Sequence, residues 1–237
     1  MDPFPLERRD AAQLDRPLAG WRKNVGGHVA LDLAAPRASG GTLVVLSWNA
    51  WIGRGDIAGL VERVRRGEWE GFPAGAPFVA LIQEAYRADD TIPEAASRHV
   101  ARDFSRHGDY EHEISAVARQ LGLNLRYAPS MRNGLARSDR GNAILSDLPL
   151  TDAVATELPF SMQRRTVVSA TIAAGDWRLR LHAAHLDPRG AAAIDLLGFA
   201  GRLRQAHELL RLVKAAPELP HLVGADLNLA REEREPA

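Results

Sequence analysis

Five side chains of this sequence have the types and the placement to handle a phosphate and a hard cation. Asp226 and Asn228 stand at i and i+2 after the short apolar run His221-Leu222-Val223-Gly224. In extended backbone such a pair points to one side. Asn49 closes the run at 43–46 through Ser47-Trp48, Glu84 follows Gln83 at the end of 78–82, and His185 ends the alternating stretch 178–185. Alternation puts His185 on the inward face with Leu179 and Leu181, and His182 with Arg178 and Arg180 toward solvent. Carboxylates, amides and an imidazole gathered at strand ends suit a divalent cation such as Mg²⁺, which takes oxygen ligands and few carboxylates. Each residue alone also has a plain structural reading. Asp226 and Asn228 fit an Asx-type turn, Asn49 a helix cap, Glu84 a surface acid, and His185 a satisfied core histidine.

The elements that must carry these residues follow from periodicity. Residues 43–46 and 78–82 read as short buried strands, with a helix over 56–66 between them, where Ile57, Leu60 and Val64 fall at helical spacing. Ile114, Val117, Ala118 and Leu121 mark a second helix that stops at Gly122. Residues 123–128, 142–145, 166–172 and 177–185 read as strands, the last two joined as a hairpin at Gly175. Residues 89–108 read as polar loop with some helix, and 129–140 as a basic loop, so that Arg132, Arg137 and Arg140 read as solvated in preference to a substrate rim. Asn142, after Gly141, reads as fixing a strand start rather than as catalytic. Leu203, Ala206, Leu209, Leu210 and Val213 give a last helix before the final strand. Residues 1–40, with Pro3, Pro5, Pro17, Pro36 and Gly26-Gly27, read as a loosely structured lead-in to a domain over 41–237. Buried strands alternating with helices imply a mixed sheet covered by helices.

Composition narrows the function. The 237 residues are 46% hydrophobic and 25% charged, a globular composition for one large domain or two small ones. Lys plus Arg and Asp plus Glu are each 30, so the net charge is zero and argues against holding duplex DNA by phosphate neutralisation alone. Cysteine is absent, which excludes disulfides, thiolate nucleophiles and Cys-based zinc sites. No signal-peptide core and no stretch near the roughly 18 apolar residues of a membrane span is present. The expectation is a monomer, cytoplasmic by default.

In chain order, Ser47-Trp48-Asn49, Gln83-Glu84, Gly141-Asn142-Ala143-Ile144-Leu145-Ser146, His185-Leu186-Asp187 and Gly224-Ala225-Asp226-Leu227-Asn228 resemble the motif series of the endonuclease/exonuclease/phosphatase superfamily. Its members include DNase I, abasic-site endonucleases, neutral sphingomyelinases and inositol-polyphosphate phosphatases. The resemblance covers about residues 43–228. It implies an α/β fold, the DNase I-like sandwich of two packed mixed β-sheets with outer helices. It also implies a metal-dependent phosphoesterase that hydrolyses a phosphate ester with an activated water, with Mg²⁺ or Mn²⁺ as cofactor. The substrate would be a nucleic acid, a phospholipid or an inositol phosphate. By the same resemblance Glu84 binds the metal with Asn49 beside or behind it, and Asp226 orients or deprotonates the water. Asn228 and His185 contact the phosphate. Arg164 and Arg165 open the strand 166–172, where the resemblance implies a phosphate-facing arginine, assigned here to Arg165; a solvated charge pair is the plain alternative. Cation and donors together stabilise charge that builds on phosphate oxygens. The family pattern runs on past Asp226 and Asn228 to a terminal Ser-Asp-His, whereas residues 229–237 contain neither Asp nor His. The expectation is therefore a domain incomplete at its C-terminus, its last strands missing. The alternative function is a non-catalytic phosphate-ligand or protein-binding domain on the same scaffold.

Overall fold

The computed structural model describes residues 2–8, 15–35, 42–94, 112–174, 177–188 and 195–229. In chain order the elements are β1 (Leu6–Arg8), α1 (Asp15–Arg22), β2 (Val29–Leu31), β3 (Val44–Asn49), α2 (Ile57–Arg65), β4 (Phe78–Arg87) and α3 (Ile114–Leu121). They continue with β5 (Asn124–Arg132), β6 (Asp139–Ser146), β7 (Thr151–Glu157), β8 (Thr166–Ala174), β9 (Trp177–His185), α4 (Asp195–Lys214) and β10 (His221–Asp226). Among the described residues ten strands make two mixed five-stranded sheets, one ordered β1-β7-β8-β9-β10 and the other β2-β5-β6-β4-β3.

The sheets pack face to face. Val79, Leu81 and Ile144 from the second sheet meet Val168, Ala170, Ile172, Leu181 and Ala183 from the first. The second sheet buries its other face as well, with Val44, Leu46, Phe78, Ala80 and Ile82 under Ile57, Val61 and Val64 of α2 and Ile114 and Val117 of α3. Burial on both faces is why 78–82 carries no alternation in sequence. Helix α2 starts at Asp56, whose carboxylate accepts from Gly59 N at 2.8 Å, and α3 ends at Gly122 in the left-handed conformation, φ 62°. On the first sheet, α4 lays Leu209 over Val167 and Ala184.

Two parallel pairs set up the functional end. β3 runs parallel to β4, with α2 between them in sequence, and β9 runs parallel to β10, with α4 between them. In the two registers Asn49 lies opposite Gln83, and Asp226 opposite His185. The C-terminal ends of these four strands carry the candidate residues.

Several expectations need correction. The lead-in is not loose where it is described. β1 pairs with β7 and β2 with β5, so it adds one strand to each sheet, and it buries Phe4 and Leu18. Pro3 and Pro5 precede β1 and Pro17 sits in the first turn of α1, so the prolines belong to short ordered pieces and hid them. The basic loop 129–140 shrinks to residues 133–138, because β5 continues through Arg132 and β6 begins at Asp139. Arg132 and Arg140 are buried rather than solvated; Arg132 donates to the carbonyls of Glu94 and Leu135, and Arg140 to Asn133 Oδ1 at 3.2 Å. β7, in the register Thr156 opposite Val167, went unread because Thr151–Glu157 lacks a strong apolar alternation. His182 is buried, not solvated. The hairpin turn at Gly175 and the segment 95–108 lie outside the described residues.

Candidate active site

Backbone geometry prepares the site before any side chain is considered. The pairing of β4 with β6 is in register at Ile82 opposite Ala143 and again at Ala85 opposite Gly141. Gln83 and Glu84 therefore face Asn142 alone, a β-bulge that re-aims Glu84. Glu84 itself has φ 52°, and Trp51, Ile52 and Asn228 also take positive φ. Non-glycine residues in this region are strained, and such strain concentrates at functional sites. Four of the five positive-φ non-glycine residues described adjoin the candidate residues, and the fifth is Asp152.

The side chains then meet across the two sheets. Asn49 Nδ2 donates to Asp226 Oδ2 at 2.8 Å, and Asn49 Oδ1 accepts from Trp51 N at 2.9 Å. Asn228 N donates to Asp226 Oδ1 at 2.9 Å. The Asn228 amide donates to Leu186 O at 2.9 Å, which fixes its orientation and turns Nδ2 toward His185 Nε2, also at 2.9 Å. His185 Nε2 must then be an acceptor, so the ring proton sits on Nδ1. That nitrogen lies 3.9 Å from Glu84 Oε1, and Nε2 lies 3.7 Å from Asp226 Oδ2. His185 thus stands between the two carboxylates.

The charge states follow from the surroundings. Burial, reinforced by Arg165 and opposed by Asp226, pushes the His185 pKa down to about 3. The imidazole is therefore neutral across the physiological range, as its acceptor role requires. Burial raises the Asp226 pKa, but hydrogen bonds from Asn49 and from the Asn228 backbone, with the nearby His185 and Arg165, more than reverse it. Asp226 is ionised below the usual aspartate range.

Arg165 is almost fully buried, and its direction is fixed from behind. Its Nε donates to Asp187 Oδ1 at 3.2 Å and its Nη2 to Gln163 Oε1 at 2.9 Å. Asp187, fully buried, also accepts at Oδ2 from Met162 N at 3.0 Å and from Gln205 Nε2 at 3.1 Å. The clamp on Arg165 therefore joins the segment just after β9, the loop before β8 and α4. Gln83 ties the sheets together nearby, donating from Nε2 to Gly224 O and to Leu81 O, each at 3.1 Å.

Two openings flank this cluster. One is an open cleft of about 430 Å³ that reaches Asn49, Gln83, Asp226 and Asn228. The other is a small recess lined by Glu84, Arg140, Asn142, Arg165 and His185. The five residues Asn49, Glu84, His185, Asp226 and Asn228 are brought to one end of the sandwich, and Arg165 stands behind them. Sequence reasoning set aside two residues that share the recess. Arg140 is buried on β6, and Asn142 donates to Thr166 O at 2.6 Å while its Oδ1 has no hydrogen-bond partner among the described residues. The bulge on β4 opposite Asn142 is what brings Glu84 into the recess with both, and nothing in the local sequence announces a bulge.

Among the described residues no three or more His, Asp or Glu side chains gather as a ready-made metal cage. The donor set still fits Mg²⁺, which keeps several waters and commonly takes only one or two protein carboxylates. Glu84, partly open to solvent, has the chemistry of such a ligand. Asn49 is occupied in holding Asp226.

No protein-family model and no curated protein matches this chain. Solved structures do. An endonuclease/exonuclease/phosphatase from Beutenbergia cavernae superposes with a TM-score of 0.53 at 21% identity, over 78% of this chain and 47% of that one. The fold is thus the DNase I-like α/β sandwich of the endonuclease/exonuclease/phosphatase proteins, and the chain spans about half the length of that structure. The human Nocturnin catalytic domain matches at a TM-score of 0.49 and 14% identity, over 87% of this chain and 70% of that one. A truncated Caenorhabditis elegans TDP2 matches at 0.45 and 18%, over 81% and 64%.

Proposed function

We propose that this chain carries the catalytic residues of a metal-dependent phosphoesterase, hydrolysing a phosphate ester with an activated water. The observation that carries the proposal is the convergence at one strand-end cleft of an ionised Asp226, a neutral His185 and Glu84 on a strained bulge, with Asn49 and Asn228 orienting them. Asp226, kept ionised, accepts a proton from a water or orients it toward phosphorus. Its remaining lone pairs face the cleft, since Asn49 and the Asn228 backbone each take one direction. Arg165, fixed by Asp187 and Gln163, contributes positive potential where charge on phosphate oxygens would rise. Asn228 already donates to Leu186 O and His185, so offering a hydrogen to phosphate means giving up the His185 contact. Glu84 would hold the divalent cation. Such a cation, once bound, neutralises phosphate charge and makes a water a better nucleophile.

The substrate class is a phosphate ester, and the Nocturnin and TDP2 likenesses do not narrow it. The test assays purified protein against bis(p-nitrophenyl) phosphate and p-nitrophenyl phosphate with Mg²⁺, Mn²⁺ or EDTA. Turnover that requires a cation and falls by about 10²-fold or more in Asp226→Asn supports the reading. Turnover that persists in EDTA, or that Asp226→Asn leaves intact, removes it. Binding of inorganic phosphate at His185 without turnover would favour the non-catalytic alternative.

A further inference from the structure

Helix α4 covers only one end of the outer face of the first sheet. Where it lies, that face is apolar, with Val167, Ala184 and Leu209 in contact and Ala225 packed against them. Past its C-terminal end the same face turns polar, and a cleft of about 470 Å³ opens there. That volume is in the range of small-molecule sites, about 300–1,000 Å³. The cleft lies on the face of the first sheet that points away from the sandwich core, and none of the proposed catalytic residues lines it.

Register builds its floor, with Ser169 opposite His182 and Thr171 opposite Arg180. A hydrogen-bonded chain crosses that floor. Ser169 Oγ meets His182 Nδ1 at 2.8 Å, His182 Nε2 meets His221 Nδ1 at 2.9 Å, and His221 Nε2 meets Ala216 O at 2.8 Å. The two imidazoles are within 5° of parallel with centroids 5.2 Å apart, the edge-to-edge arrangement that an in-plane hydrogen bond between them gives. A carbonyl can only accept, so with both rings neutral every proton position is set. His221 donates from Nε2 to Ala216, His182 donates from Nε2 to His221, and Ser169 donates its hydroxyl proton to His182. Ser169 Oγ is left as a pure acceptor toward the cleft. The arrangement resembles nucleophile, base and orienting group, but Ser169 sits mid-strand, where backbone N–H groups belong to the ladder and cannot form an oxyanion hole.

Donors line the same cleft. Thr156 is buried, 1% exposed, and its hydroxyl has no hydrogen-bond partner among the described residues. Thr171 Oγ1 accepts from Arg180 Nη1 at 3.0 Å and keeps its own proton. Arg180 uses Nη1 for Thr171 and for Asp152 O, at 2.6 Å, and its Nε and Nη2 have no hydrogen-bond partner among the described residues. An unsatisfied buried hydroxyl is destabilising, and native proteins keep few. The charges around the cleft, Glu7, Asp152 and Glu218 against Arg178 and Arg180, show no cationic excess that would select an anion. Leu212 and Leu219 add an apolar wall. Alternating donors and acceptors beside an apolar wall match a ring with hydroxyls at its edge and C–H groups on its face.

We propose that this cleft binds a neutral polyhydroxylated small molecule of the sugar class, with Thr156, Ser169, Thr171 and Arg180 as its polar contacts. The site is independent of the phosphoesterase reading. The full chain, labelled with ¹⁵N, is titrated with D-ribose, D-glucose and sucrose, and with inorganic phosphate as an anionic comparison. The His182 and His221 ring resonances are the reporters, because their hydrogen-bonded chain ends at Ser169. The expected result is a saturable shift of both rings at millimolar concentration of at least one sugar, without a shift at His185. Thr156→Val, which fills the same space without the hydroxyl, should weaken that binding about tenfold while melting no lower. Arg180→Gln should weaken it as well and serves if the valine variant folds poorly. A response to none of the three sugars, a response to phosphate alone, or sugar binding unchanged in both variants would overturn the proposal.

Discussion

Asp226 accepts from two donors on different parts of the chain, the Asn49 side chain at one carboxylate oxygen and the Asn228 backbone at the other, so Asp226→Asn removes the charge and keeps an acceptor for only one of them. That substitution should lower phosphoesterase turnover by about 10²–10⁴-fold, the usual contribution of a positioned proton acceptor. The melting temperature should move by only a few degrees, because Asp226 is partly exposed. A second expectation concerns His185, whose Nε2 accepts from Asn228 and whose pKa burial pushes to about 3. Its ring resonances should stay unchanged from pH 8 to pH 5; a midpoint near the ordinary 6.5 would show that the ring is open to water and the assigned tautomer wrong. Sequence parity alone placed His185 inward, since it continues the row of Leu179 and Leu181 on β9. The same parity put His182 outward, correctly as to face but wrongly as to solvent. Which outer faces are covered depends on His221 and on the end of α4, about forty and thirty residues further along the chain, and alternation cannot report that.

At the scale of elements, β10 matters because it must come close to the opposite sheet to bring Asp226 to Asn49. Gly224 permits this approach. A Cβ there would lie 2.6 Å from Leu81 Cδ1, 2.7 Å from Leu81 Cβ and 2.8 Å from Ser47 Oγ. Gly224→Ala should therefore push β10 away from β3 and β4, break the Gln83 bond to Gly224 O, and cost about 1–3 kcal/mol as overpacking does. Urea unfolding checks the stability, and turnover should fall further than stability explains, because Asp226 lies two residues on. Wild-type stability in this variant would mean that the sheets are not in contact at this point. The run Leu222-Val223-Gly224 was legible as a strand, and so were α2 and α3, whose apolar spacing and end residues agree with one another. β7, β1 and β2 were not. β7 alternates weakly, and β1 and β2 are three residues each with pairing partners far off in sequence, β2 meeting β5 and β1 meeting β7. The bulge that turns Glu84 also escaped, since it exists only through the mismatch of β4 with β6.

For the molecule as a whole, β9 carries one buried imidazole on each face of its sheet, His182 on the outer and His185 on the inner. Burial pushes both down to about 3, with Arg180 and His221 adding to the effect at His182 and Arg165 at His185. His28 shifts in the same direction, again chiefly by burial. Lowered histidine values fix the sign of the pH dependence. The unfolded chain takes up protons as pH falls through about 6.5, while the native protein resists until about 3. Stability contributed by these rings is therefore complete above pH 6.5 and lost progressively below it, at roughly 1.4 kcal/mol per pH unit for each ring. Asp226, with its lowered pKa, adds a loss only in the more acidic range below its ordinary value of 3.8. Between pH 6.5 and pH 5 the two rings together remove about 4 kcal/mol, a large share of a typical total of about 5–15 kcal/mol, before the carboxylates titrate. The urea midpoint should fall steadily between pH 7 and pH 5, with unfolding at pH 5 taking up about two protons beyond the share of His28. In His182→Gln, which keeps a polar group beside Ser169 but cannot bind that proton, the slope should drop by about half. A midpoint that holds constant from pH 7 to pH 5 would mean that the native rings titrate as they do in water, and the sandwich would then have to be more open around β9 than its packing indicates.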